Sequence, residues 1–140
     1  MNKHFWISVV VMFVVAMLLG FVVHELLLGK DYARLTTLFR TKDDAGGHFG
    51  YMILAHVFIA IGWTWVYRAG RENKPWLMQG VRFGVAIAVL CTIPIYLIYF
   101  AVQPLPSDLV AQQIVFDTIS SVIMGIVVAF VNRDPIPARA

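Results

Sequence analysis

Phe5-Trp6-Ile7-Ser8-Val9-Val10-Val11-Met12-Phe13-Val14-Val15-Ala16-Met17-Leu18-Leu19-Gly20-Phe21-Val22-Val23-His24-Glu25-Leu26-Leu27-Leu28 is the stretch that decides the fold. Only a serine, a histidine and a glutamate interrupt it. As a helix rising about 1.5 Å per residue it reaches roughly 36 Å, enough to cross a hydrocarbon layer about 30 Å thick. Strict alternation of apolar and polar residues, which a barrel strand would need, is absent. Similar runs follow at residues 50–67, 76–102 and 109–131. A backbone in lipid must satisfy its own hydrogen bonds, so these runs predict an all-α fold, a transmembrane four-helix bundle.

Composition agrees. Of 140 residues, 60% are hydrophobic and 14% charged, with a mean hydropathy of +0.78. A soluble globule carries about 25% charged residues. Polar segments between the runs are short, so residues 1–140 read as a single membrane domain. The net charge of +3 sits in loops, where it reports insertion orientation and not a nucleic-acid partner. Cys91 has no second cysteine to pair with and reads as a small buried hydrophobe. The N-terminal run lacks a small-residue cleavage signature and reads as an uncleaved first span.

The connections set the topology. Gly70 and Pro75 bracket a tight second connection, and Pro104, Pro106 and Ser107 bracket a tighter third, with Ser107 expected as the helix N-cap. Short connections join antiparallel neighbours, which gives an up-down-up-down bundle. In the first connection, Tyr32, Leu35, Leu38 and Phe39 recur at helical spacing beside Lys30, Arg34 and Arg40. Residues 30–41 are therefore expected as a short interfacial helix anchored at the membrane surface, a lid over the bundle being the lesser alternative. Thr41 followed by Asp44 is a helix-start signature. Lys3, Arg68, Arg71, Lys74, Arg82, Arg133 and Arg139 lie toward one side, seven against the four of Lys30, Arg34, Arg40 and Lys42, which places both termini in the cytoplasm and residues 30–41 outside. Trp6, Trp63, Trp65 and Trp76 all fall near the cytoplasmic ends.

Within this topology His24 and His56 lie on the order of 7 to 9 Å below the outer surface, counting about 1.5 Å per residue, and Asp117 somewhat deeper. Each continues a row of small residues at every fourth position: Gly20 and Ala16 behind His24, Ala60 and Thr64 beyond His56, Ser121, Gly125 and Ala129 beyond Asp117. The third span has its own row, Gly80, Gly84, Ala88, Thr92 and Tyr96. Small rows let helices approach closely in lipid, so these faces should meet and bring His24, His56 and Asp117 together, with Thr92 and Tyr96 as polar support. Pro94 should kink the third span beside them. Such a cluster suits a satisfied hydrogen-bond network, a haem b held by His24 and His56, a transition metal held by His24, His56 and Asp117, or a proton site. Glu25, about 100° around the helix from His24, should pair with Arg34 or Lys30. His4 and His48 read as solvated.

His24-Glu25-Leu26-Leu27-Leu28-Gly29-Lys30-Asp31-Tyr32, then Phe39-Arg40-Thr41, Leu54-Ala55-His56-Val57 and Gln103-Pro104-Leu105-Pro106, resemble a group of small uncharacterised bacterial four-span membrane proteins. That resemblance implies a bacterial inner-membrane location and carries over no catalytic residue. No phosphate-cradling loop, nucleophile elbow, paired cysteines or paired catalytic carboxylates occur, so an enzyme is not the favoured reading. The leading expectation is a structural or accessory component of a larger membrane assembly or homo-oligomer embedded in the bilayer. A ligand-, metal- or haem-binding bundle is the first alternative, and an oligomeric proton-coupled small transporter the second.

Overall fold

A computed structural model describes residues 3–134, so Arg139 of the orientation argument lies outside the described residues. The four apolar runs form long helices: α1 (Lys3–Leu27), α4 (Phe49–Gly70), α5 (Trp76–Val102) and α6 (Ser107–Val131), with short helices α2 (Gly29–Arg34) and α3 (Lys42–Gly47) between the first two. No strand occurs among the described residues. All four long helices have the length and apolarity to cross a membrane.

Side-chain pairs fix the register. Ser8 meets Thr64 at 3.4 Å and Gly20 lies against His56, so α1 and α4 run antiparallel. His4 Nε2 lies 3.0 Å from the carbonyl of Val131, which makes α6 antiparallel to α1. Gly80 faces Gly125 and Tyr96 faces Asp117, which reverses α5 against α6. α5 touches α4 through Phe83, whose ring stands edge-on to Trp63 at 5.2 Å and to Tyr67 at 5.4 Å. One end of the bundle therefore carries both chain ends and the second connection. The far end carries the first and third.

The small-residue rows are where the backbones approach closest. A methyl group built on Gly84 would lie 2.5 Å from the Ser121 carbonyl oxygen, and one on Gly80 2.8 Å from the Ala129 methyl. Both glycines are needed because no side chain fits between α5 and α6. Ala16 and Ala60 are buried with Phe5, Val9, Met12, Tyr67, Met124, Val128 and Ala129 in the main core, toward the termini. A smaller apolar cluster, Val23, Leu28 and Leu109, caps the far end.

Two of the long helices widen near the far end. Phe21–Leu27 and Ala88–Thr92 are π-helical, and each closes with a bond spanning five residues, Leu28 N–H to Val23 C=O and Ile93 N–H to Ala88 C=O. The second widening directly precedes Pro94. Proline lacks the N–H that would close an ordinary turn, and the extra residue is how the helix accommodates it.

Several local expectations are corrected. The interfacial helix ends at Arg34, because Leu35 leaves the helical region at φ −107°, ψ 53°. The chain then turns back, and Tyr32, Leu35 and Phe39 pack on Val23, Leu28 and Leu109 instead of facing outward. Thr41 does cap α3, its hydroxyl oxygen accepting from Asp44 N–H at 3.4 Å. Pro106 occupies the N-cap of α6 and Ser107 is its first helical residue. Cys91 is exposed on the exterior of α5. Glu25 pairs with Lys42, while Arg34 pairs with Asp31 at 3.7 Å. His4 and His48 both have partners, Asp134 at 3.2 Å and the Asp44 carbonyl at 2.8 Å.

Candidate functional site

At the far end the helices assemble a chain of polar side chains. His24 projects from the widened turn of α1, and π-helical turns recur at functional sites. Its Nε2 lies 3.5 Å from a carboxylate oxygen of Asp117 on α6. The same oxygen accepts a short hydrogen bond from the Tyr96 hydroxyl on α5. The other ring nitrogen, Nδ1, lies 2.8 Å from the Tyr32 hydroxyl on α2, and the two rings lie nearly parallel, 21° apart. Gln113 of α6 donates from Nε2 to the Tyr32 oxygen at 3.1 Å.

Tyr32 accepts from Gln113 and keeps one proton of its own, which it can donate to His24 Nδ1 when that nitrogen is bare. Burial pushes the Tyr32 hydroxyl above the usual phenol range, opposed by the Gln113 bond and reinforced by Asp117 and Asp31, so at neutral pH it keeps that proton. His24 Nε2 is the ring nitrogen that faces Asp117, 3.5 Å away. A carboxylate accepts only, so Asp117 receives from the Tyr96 hydroxyl. The side chains follow one another in the order Gln113, Tyr32, His24, Asp117, with Tyr96 on the opposite side of the carboxylate.

Two buried side-chain atoms are left over among the described residues. Gln113 is 5% exposed and its Oε1 has no partner, and Thr118 Oγ1 has none either. A buried unsatisfied acceptor costs about 1–3 kcal/mol. This acceptor is on the side chain that already holds Tyr32, where a half-turn of the amide would exchange donor for acceptor.

His56 does not join this chain. Its Nδ1 donates to the Met52 carbonyl in its own helix at 2.8 Å, and its Nε2 faces Gly20, one turn from His24 toward the termini. Thr92 is also a turn away, bonded to Ser121 at 3.2 Å. Among the described residues no three His, Cys, Asp or Glu side chains come together as a metal site, so the expected set of His24, His56 and Asp117 reduces to the pair His24 and Asp117. The physical reason is local: with Nδ1 held by the Met52 carbonyl, the ring meets α1 at Gly20, one turn short of His24.

Sequence reasoning missed Tyr32 and Gln113, and a second polar cluster at the opposite end. There Asn132 donates to Ser8 Oγ at 2.8 Å and receives from Arg68 at 2.9 Å, and its carbonyl accepts from Arg71. Ser8 and Thr64 are fully buried beside it. This cluster ties the ends of α1, α4 and α6 together. The available signal was Ser8, the first polar residue inside the opening apolar run.

Fold and site together define a small all-helical protein whose four long helices suit a bilayer and whose polar groups are gathered at the two helix ends. The chain belongs to the family described as Protein of unknown function (DUF1761), which matches residues 7–129. No curated protein and no solved structure matches it.

Proposed function

We propose that this protein is a proton-responsive membrane protein whose working step is proton binding at His24, read out through Tyr32 as movement of the segment covering the far end. The observation that carries the reading is the 3.5 Å approach of His24 to Asp117 while Tyr32 holds the other face of the imidazole. A histidine changes charge near neutral pH, and an ionisable pair within membrane-spanning helices is costly to retain without a role. When a proton reaches His24, both ring nitrogens become donors. Tyr32 can then no longer donate to Nδ1 and must turn its proton elsewhere, and the unpartnered Oε1 of Gln113 is the acceptor beside it. Tyr32 also packs on Phe39 with ring centroids 4.7 Å apart, so its hydrogen-bond register bears on the whole folded-back segment.

Gly80, Gly84, Ser121, Gly125 and Ala129 pack against one another at the seam between α5 and α6. The proposed setting is a bacterial inner membrane with both termini cytoplasmic. Supporting it, the basic residues of the far end sit in acidic company, Arg34 with Asp31, Arg40 with Asp44 and Lys42 with Glu25, whereas Arg68, Arg71, Lys74, Arg82 and Arg133 gather at the other end.

Infrared difference spectra of the protein in lipid, recorded between about pH 8 and pH 5, where an unperturbed histidine changes charge, test the coupling. A tyrosine ring band should change in the wild type and be absent in both Tyr32→Phe and His24→Gln. A tyrosine change that persists in His24→Gln would contradict the reading.

A further inference from the structure

At the termini end α4 and α5 meet mainly through Phe83, and beside that contact they leave a groove of about 280 Å³. Its walls are Val66, Tyr67 and Phe83; its rim carries Arg71, Arg82 and Glu72. The carboxylate on the rim is paired with Lys74 and also feels the charge of Arg82, and among the described residues neither Arg71 nor Arg82 comes within ion-pair distance of a carboxylate. Arg71 donates to the neutral carbonyls of Asn132 and Asp134. Arg82 lies six residues into α5, about 9 Å along the helix from its start, where a guanidinium must reach back toward headgroups. The exposed half of Val66 extends the apolar wall onto the outside of α4.

We propose that this groove is a binding site for an anionic phospholipid, its phosphate held between Arg71 and Arg82 and an acyl chain lying along Val66 and Phe83. A soluble anion would use the two guanidiniums but leave the apolar wall uncovered. A zwitterionic lipid would cover the wall but bring its own cation to a rim that is already basic. The ligand that meets both requirements has a net negative head and an aliphatic tail, and basic pockets between membrane helices hold such lipids. This inference is independent of the proton site at the other end.

Native mass spectrometry of the whole protein in detergent, with phosphatidylglycerol or phosphatidylcholine of equal chain length added, provides the test. Phosphatidylglycerol should be retained on the order of 25-fold better than phosphatidylcholine, about fivefold for each of the two basic residues. Arg82→Gln should lower the ratio about fivefold while Arg82→Lys keeps most of it, which separates loss of the charge from loss of the fold. Val66→Trp, which fills the wall, should weaken both lipids. Inorganic phosphate at millimolar concentration should not displace the bound lipid. Equal retention of the two lipids, an unchanged ratio in Arg82→Gln, or displacement by inorganic phosphate alone would overturn the proposal, the last by making this a site for a free anion.

Discussion

Asp117 is the residue on which the far-end chain turns, because it accepts from Tyr96 of α5 and lies 3.5 Å from His24 of α1. Replacing it by leucine strands the Tyr96 hydroxyl and removes the partner of His24, and should destabilise the protein by about 1–3 kcal/mol, the usual cost of an orphaned polar group. Asp117→Asn keeps an acceptor oxygen and should cost less. Thermal unfolding in detergent followed by circular dichroism checks the order; equal losses for the two variants would mean that the bonds matter less than the volume. At this scale the sequence was partly legible. An ionisable residue inside an apolar run must find a partner, and that argument reaches His24, Asp117 and Tyr96. It overreached at His56, since nothing in the spacing says whether an imidazole bonds across a helix interface or back onto its own helix. Tyr32 was read as a surface anchor because its inward direction depends on the turn at Leu35, a consequence of packing on Val23, Leu28 and Leu109 that no local pattern records.

The elements themselves were readable where one physical rule dominates. Apolar length gave the four long helices, and fourfold spacing of small residues gave the α5–α6 seam. The seam also makes a sharp contrast between glycines. Gly125 sits with its α-carbon against the backbone of Gly80 and Gly84, whereas Gly62 has nothing within 4 Å of where a side chain would begin. Gly125→Ala should destabilise by about 1–3 kcal/mol or more through overpacking, and Gly62→Ala should be neutral or stabilising by up to about 1 kcal/mol through helix propensity. Comparing the two in one unfolding assay checks the seam, and similar values would contradict it. The two π-helical turns were not readable in the same way. Pro94 announces a disturbance in α5, but the widening of α1 at Phe21–Leu27 has no proline to mark it, and it is this turn that sets the azimuth of His24.

The whole molecule carries a polar cluster toward each end, with the Thr92–Ser121 bond between them. One end is tied by Asn132, which holds Ser8, Arg68 and Arg71, and the other is the chain through His24, in which Gln113 Oε1 is unfilled. Orientation can be checked independently: with Cys91 replaced by alanine, a cysteine at Asp43 should react with a membrane-impermeant maleimide in intact cells and one at Lys74 only after permeabilisation. The reverse pattern would invert the topology. The site was the least legible part, because Tyr32 reaches His24 only through the turn at Leu35, and Gln113 and Asp117 come from α6, far away in sequence. The most direct measurement is the nitrogen-15 spectrum of imidazole-labelled protein in lipid nanodiscs, followed between about pH 8 and pH 5. At the alkaline end His24 should carry its proton on Nε2 with Nδ1 bare, and on acidification both nitrogens should become protonated while the Tyr32 ring signals shift in the same transition. A His24 protonated on Nδ1 at the alkaline end, or a Tyr32 signal indifferent to the His24 transition, would contradict the account.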